Sequence, residues 1–82
     1  MITPAQSRMA RAALTWSTKD LATRARVGVA TINRFETEAR SPIPGTLAAI
    51  ERALAAAGVE FLDGAGVRLR EPTPAAPKVS PS

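Results

Sequence analysis

The chain opens on a helical rhythm. Met9, Ala10, Ala13 and Leu14 recur at three- to four-residue spacing, which places them on one face of an α-helix. Before them stands TPAQ (residues 3–6). Thr3 suits the N-cap, Pro4 suits the first helical position, and Gln6 can return a bond to the cap. The spacing predicts a helix to about residue 14, broken at Thr15 and Trp16. A second box, STKD (residues 17–20), starts the next helix with Ser17 as cap and Asp20 as its reciprocal partner. That helix should cover residues 18–25 with Leu21 and Ala22 inward. A third should follow Gly28. Its Ile32 and Phe35 share a buried face, while Ala30, Asn33, Arg34 and Thr37 point away. The proline-broken run RSPIPG (residues 40–45) reads as a loop. Thr46 would then cap a fourth helix, whose Leu47, Ile50, Ala53, Leu54 and Ala57 form an apolar stripe that Gly58 terminates.

After Gly58 the period falls to two. VEFL (59–62) and VRLR (67–70) flank DGAG (63–66), the pattern of a β-hairpin with a four-residue loop. Val59 and Phe61 would share a face with Val67 and Leu69. A two-stranded ribbon is marginal alone, so it should pack on helix 4 or extend a partner's ribbon. The closing EPTPAAPKVSPS has four prolines and no aromatic residue, and is expected to be a disordered Pro-rich tail. The expected organisation is one domain over residues 1–70 and a tail over 71–82. The fold class is mainly α, with four short helices and a C-terminal β-hairpin.

Composition narrows the function. A domain of this size buries only about 60% of its unfolded surface, which favours dimerisation. The 82 residues include no cysteine and no histidine. Thiolate chemistry and the commonest general base and metal ligand are therefore missing. There is no Gly-rich phosphate loop, and the acids are scattered, so an enzyme is not expected, nor any cofactor or metal. No apolar run has the length of a signal peptide or a membrane span. A cytoplasmic protein with no membrane partner is the default. The net charge of +4 is unevenly placed. Residues 1–40 hold seven Lys and Arg against three acids, and residues 41–82 hold four against four. The excess suits a polyanion, or else a solubilising surface.

Residues 11–22 (RAALTWSTKDLA), 25–36 (ARVGVATINRFE) and 41–54 (SPIPGTLAAIERAL) together resemble the Cro/phage-repressor type of helix-turn-helix, the XRE family of lambda-repressor-like DNA-binding domains. The sequel GVEFLDGAGVRLR is similar to the C-terminal hairpin of a subgroup of small bacterial members. The resemblance implies a transcriptional regulator that binds double-stranded DNA. Helix 2 would lie across the backbone and helix 3 in the major groove of an inverted-repeat operator, one protomer of a homodimer per half-site.

By position, the resemblance assigns base contacts to Val29, Ala30 and Arg34. The helical wheel adds Asn33, and Thr31 protrudes beside them. Arginine can fork onto guanine O6 and N7, asparagine onto adenine N6 and N7, and small apolar groups suit the thymine methyl. Arg34 could instead pair with Glu38 one turn on. Thr18 occupies the family's phosphate-binding glutamine position, with a shorter reach. Lys19, Arg26 and Arg40 are further phosphate candidates. Arg11 and Glu36 match an ion pair that fixes helix 3 to helix 1. The apolar faces of helix 4 and the hairpin (Leu47, Leu54, Val59, Phe61, Leu62 and Val67) serve either a dimer surface or the monomer's own core.

The sequence departs from the family at turns. Thr15, Arg26 and Glu38 stand where glycine is common, and Gly28 stands where serine would cap helix 3. A non-glycine residue in the left-handed region costs on the order of 1 kcal/mol. These departures keep a second class open, in which the fold is a protein-interaction module such as an antitoxin or anti-activator. In that case the free hairpin edge would bind a protein partner.

Overall fold

The computed structural model describes residues 2–62 and 66–70. The hairpin tip at residues 63–65 and the Pro-rich segment 71–82, read above as a tail, lie outside the described residues. Four helices come first, α1 (Pro4–Leu14), α2 (Thr18–Ala25), α3 (Val29–Glu36) and α4 (Pro44–Ala56). Two short strands follow, β1 (Val59–Phe61) and β2 (Val67–Leu69).

Both expected capping boxes form. The Thr3 hydroxyl accepts from the Gln6 N–H at 3.1 Å, and Gln6 Oε1 accepts from the Thr3 N–H at 3.0 Å. Ser17 and Asp20 exchange the same two bonds at 3.0 and 2.9 Å. Each box satisfies two N–H groups that a helix start otherwise leaves without partners.

The helix ends answer to a second local rule. Thr15, Arg26 and Glu38 have φ of 57°, 61° and 64°. Each sits in a closure where the next N–H reaches back five residues: Trp16 to Arg11, Val27 to Ala22, Ala39 to Arg34. This is the Schellman pattern, which favours glycine at the left-handed position. All three positions where the family commonly has glycine are therefore left-handed here, without glycine. Only α4 ends on one, Gly58 at φ +106°.

Helix α2 packs against α3 and α4, α1 against α3 and β2, and α4 against β1. Leu21, Ile32, Ile50 and Leu54 are fully buried at the centre, ringed by Ile2, Ala10, Ala22, Ala25, Phe35, Leu47 and Val59. The strands are antiparallel, with Glu60 opposite Arg68.

Four expectations are corrected. The fourth helix begins at Pro44 rather than after Thr46, because proline at a first helical position sacrifices no bond and its fixed φ suits the turn. Ile43 is the N-cap. In α1, Met9 and Ala13 are exposed, and the buried face is Gln6, Ser7 and Ala10. Two polar residues can be buried there because both are hydrogen-bonded. The hairpin strands are each one residue shorter than their apolar alternation suggested. Leu47, Leu54 and Val59, at 8%, 0% and 3% exposure, have no area to give a partner subunit. They belong to the protomer core. Of the expected dimer surface, Phe61 and Val67 are partly buried against that core and Leu62 is exposed.

Candidate nucleic-acid interface

Helix α3 is two turns long and cannot be stable by local propensity alone. Its position comes from contacts on one side. Ile32 and Phe35 enter the core, and Glu36 is 96% withdrawn from solvent. The Glu36 carboxylate accepts from Arg11 Nη2 at 2.6 Å, from Arg11 Nε at 2.8 and 3.1 Å, and from Ser7 Oγ at 2.6 Å. Arg8 donates to the Glu36 carbonyl, and Arg11 Nη1 to the Trp16 carbonyl at 3.0 Å. The hydrogen bond to Glu36 raises the Arg11 guanidinium above its ordinary pKa against the opposing effect of burial, so it stays charged throughout the useful pH range. A buried carboxylate needs such a forked, fully bonded partner. Ser7, wholly buried, is a third member of this cluster that the sequence did not point to.

The opposite face of α3 is open. Ala30, Asn33 and Arg34 are exposed, Val29 is 42% exposed, and Thr31 is half-buried rather than protruding. Among the described residues the Asn33 amide and the Arg34 guanidinium have no hydrogen-bond or ion-pair partner. The only ion pairs found there are Arg11–Glu36 and Arg68–Glu60. Arg34 does not pair with Glu38. The turn before α3 presents Arg26, exposed and left-handed, and Gly28, an N-cap with no side chain to bond the helix.

At the start of α2, Thr18 is half-buried and Lys19 exposed. The Ser17 N–H and hydroxyl hold the Asp20 carboxyl below its ordinary pKa, which keeps the box's carboxylate charged further into acid. Arg24 lies over the Trp16 ring at 4.9 Å, a cation–π contact that joins the end of α2 to the break after α1. Arg40, exposed, stands on the connection beyond α3. It shares a cleft with Arg34 and Ile43. Ile43 and Arg24 escaped the sequence reading. The first looked like loop filler and the second like one charge among seven.

No described helix is long and apolar enough to cross a membrane. The family model described as Helix-turn-helix matches residues 8–60, from the first turns of α1 into β1 and nearly two thirds of the chain. No curated protein matches it.

Proposed function

Because the chain belongs to the helix-turn-helix family, it is a DNA-binding protein, and we propose that it is a sequence-specific transcriptional regulator. Helix α3 enters the major groove, which admits one α-helix. Arg34 and Asn33 read base edges, while Val29, Ala30 and the accessible part of Thr31 pack beside them. Thr18, Lys19, Arg26 and Arg40 hold phosphates and fix the register. The observation that carries this reading is the division of α3. Ile32, Phe35 and Glu36 tether one face, and Asn33 and Arg34 on the other engage nothing among the described residues.

The protein acts as a homodimer on an inverted repeat with half-sites about 10 bp apart. The dimer surface is the hairpin around exposed Leu62, with the accessible parts of Phe61 and Val67, and residues up to 70 form the folding unit.

Selection from a random duplex pool tests recognition. An enriched two-fold motif is expected. Affinity for it should fall steeply with salt, in proportion to the phosphates neutralised. Asn33→Ala with Arg34→Ala should abolish the preference while leaving residual non-specific binding. No enrichment at low salt would refute specific recognition, and sedimentation of a monomer on a single half-site would refute the dimer.

A further inference from the structure

The connection into α4 contains a choice that folding does not explain. Ile43 is the N-cap of α4 and is 71% exposed, more than any other large apolar side chain described as exposed. Isoleucine offers no acceptor to the first N–H groups, and no side chain caps them. Serine, threonine or aspartate there would favour folding by about fivefold. This chain supplies such residues at the starts of α1 and α2. Ile43 is thus a poor cap and an exposed oily group at once.

Ile43 lines a cleft of about 310 Å³ between α3 and the connection. Thr31 and Arg34 contribute from α3, Arg40 and Pro42 from the connection, and Thr46 from α4. Among the described residues neither guanidinium has an internal partner. A purely apolar ligand would leave two cations unmatched, and a small anion would leave the isoleucine unexplained. A DNA strand offers, from its outer edge inward, an anionic phosphate, a carbon-rich sugar and a hydrogen-bonding base edge. The cleft offers a guanidinium on the connection, an isoleucine, and a guanidinium on the reading helix.

We propose that this cleft seats one sugar–phosphate unit of a DNA strand, with Ile43 packed on the deoxyribose, Arg40 on its phosphate and Arg34 directed to the base. The inference rests on the DNA-binding reading above and adds an uncharged positioning contact to it.

The test is Ile43→Ser, which improves the cap and removes no charge. Its Tm should rise by about 4–8 °C, the shift that one typical cap gives a domain of this size. Its Kd for the selected duplex should rise about fivefold to tenfold, as expected for losing part of a buried isoleucine contact. The slope of log K against log salt should stay unchanged, since no phosphate contact is lost. Arg40→Ala should instead reduce that slope by about 0.9. Ile43→Val should bind within about twofold of the unaltered chain, because it keeps most of the apolar contact. An Ile43→Ser protein that is folded and binds the selected duplex as tightly as the unaltered chain overturns the inference and leaves the DNA reading standing. Failure of selection to enrich any duplex overturns both.

Discussion

The four helix starts fall into two pairs. Helices α1 and α2 each begin with a complete capping box, whereas α3 and α4 begin with Gly28 and Ile43 and have no side-chain cap. The capped pair satisfies its first N–H groups from its own side chains, although α2, at eight residues, still relies on the buried Leu21, Ala22 and Ala25. The uncapped pair borders the face assigned to DNA, as does the start of α2 with Thr18 and Lys19, and depends on tertiary contacts, chiefly Ile32, Phe35 and Glu36 for α3. Side-chain capping is thus confined to the two N-terminal helices, and the reading helix has none. The reading helix is fixed from behind and bare in front.

The largest test of that contrast is to cut the tether. Glu36→Ala removes the acceptor of Arg11 and Ser7 and leaves two partly or fully buried donors unmatched. Breaking such a pair should cost about 3–5 kcal/mol, enough to abolish cooperative unfolding in so small a domain. Glu36→Gln, which keeps an acceptor for Ser7, should cost less. Denaturant unfolding curves of both variants check this, with no cooperative transition expected for Glu36→Ala and a lowered midpoint for Glu36→Gln. If Glu36→Ala unfolds at the unaltered midpoint, α3 is not held from behind.

Removing a box tests the other half of the comparison. Ser17→Ala should cost about 1 kcal/mol, because the hydroxyl that accepts from the Asp20 N–H is lost, while the bond from the residue-17 N–H to the Asp20 carboxylate can remain. The pH dependence carries a sign. Asp20 is shifted below its ordinary value in the folded chain, so its contribution is complete above the unfolded pKa. It is lost as pH falls through the lower folded one. Acid titration of stability should therefore lose part of its acid limb in Ser17→Ala. An unchanged acid limb would show that the Ser17 hydroxyl adds nothing to the Asp20 shift beyond the backbone N–H.

Arg26→Gly sharpens the same contrast at the turn. The left-handed strain at φ 61° disappears, partly offset by glycine's extra freedom when unfolded, for a gain of about 0.5–1 kcal/mol. Duplex binding should nevertheless weaken, with the salt slope reduced by about 0.9 as one phosphate contact is lost. A stabilised variant with an unchanged salt slope would identify Arg26 as strain without a binding role.

What the sequence disclosed follows the range of the interactions. Both boxes span three residues, and the inward pair Ile32 and Phe35 sits within one turn. Such features can be read from neighbours. Gln6 is different. Its Nε2 donates to the Leu62 and Gly66 carbonyls at 3.2 and 3.0 Å, a clamp from α1 to the hairpin across 56 and 60 positions. Nothing near Gln6 in the chain announces it, so Met9 and Ala13 looked like the better inward residues. Ser7 was hidden for the same reason, its partner lying 29 residues away. The stripe Leu47, Leu54 and Val59 shows a further limit. Periodicity tells which side chains leave water, but not whether a helix of the same chain or a second subunit receives them. On the candidate site, the division of α3 into tethered and open faces was legible from its wheel. The left-handed turns at Thr15, Arg26 and Glu38 were suggested only by resemblance, since no local rule places those residues at positive φ.

The smallest expected effect separates economy from purpose at the bare start of α3. A Cβ added at Gly28 would meet only the Thr31 hydroxyl, at 3.9 Å, and the backbone at φ −72° and ψ 146° already has N-cap geometry. Gly28→Ser can therefore bond the first-turn N–H groups without moving the chain. It should add a few tenths of a kcal/mol, about 1–2 °C in Tm. Ile32, Phe35 and Glu36 would still set the helix, so duplex affinity should stay within about twofold, under 0.5 kcal/mol. Thermal melts and titration of the selected duplex read both quantities on one preparation. A serine that stabilises the fold yet weakens binding several-fold would mean that the unoccupied N–H groups are themselves part of the DNA contact. The contrast between capped and bare starts would then belong to recognition and not to folding alone.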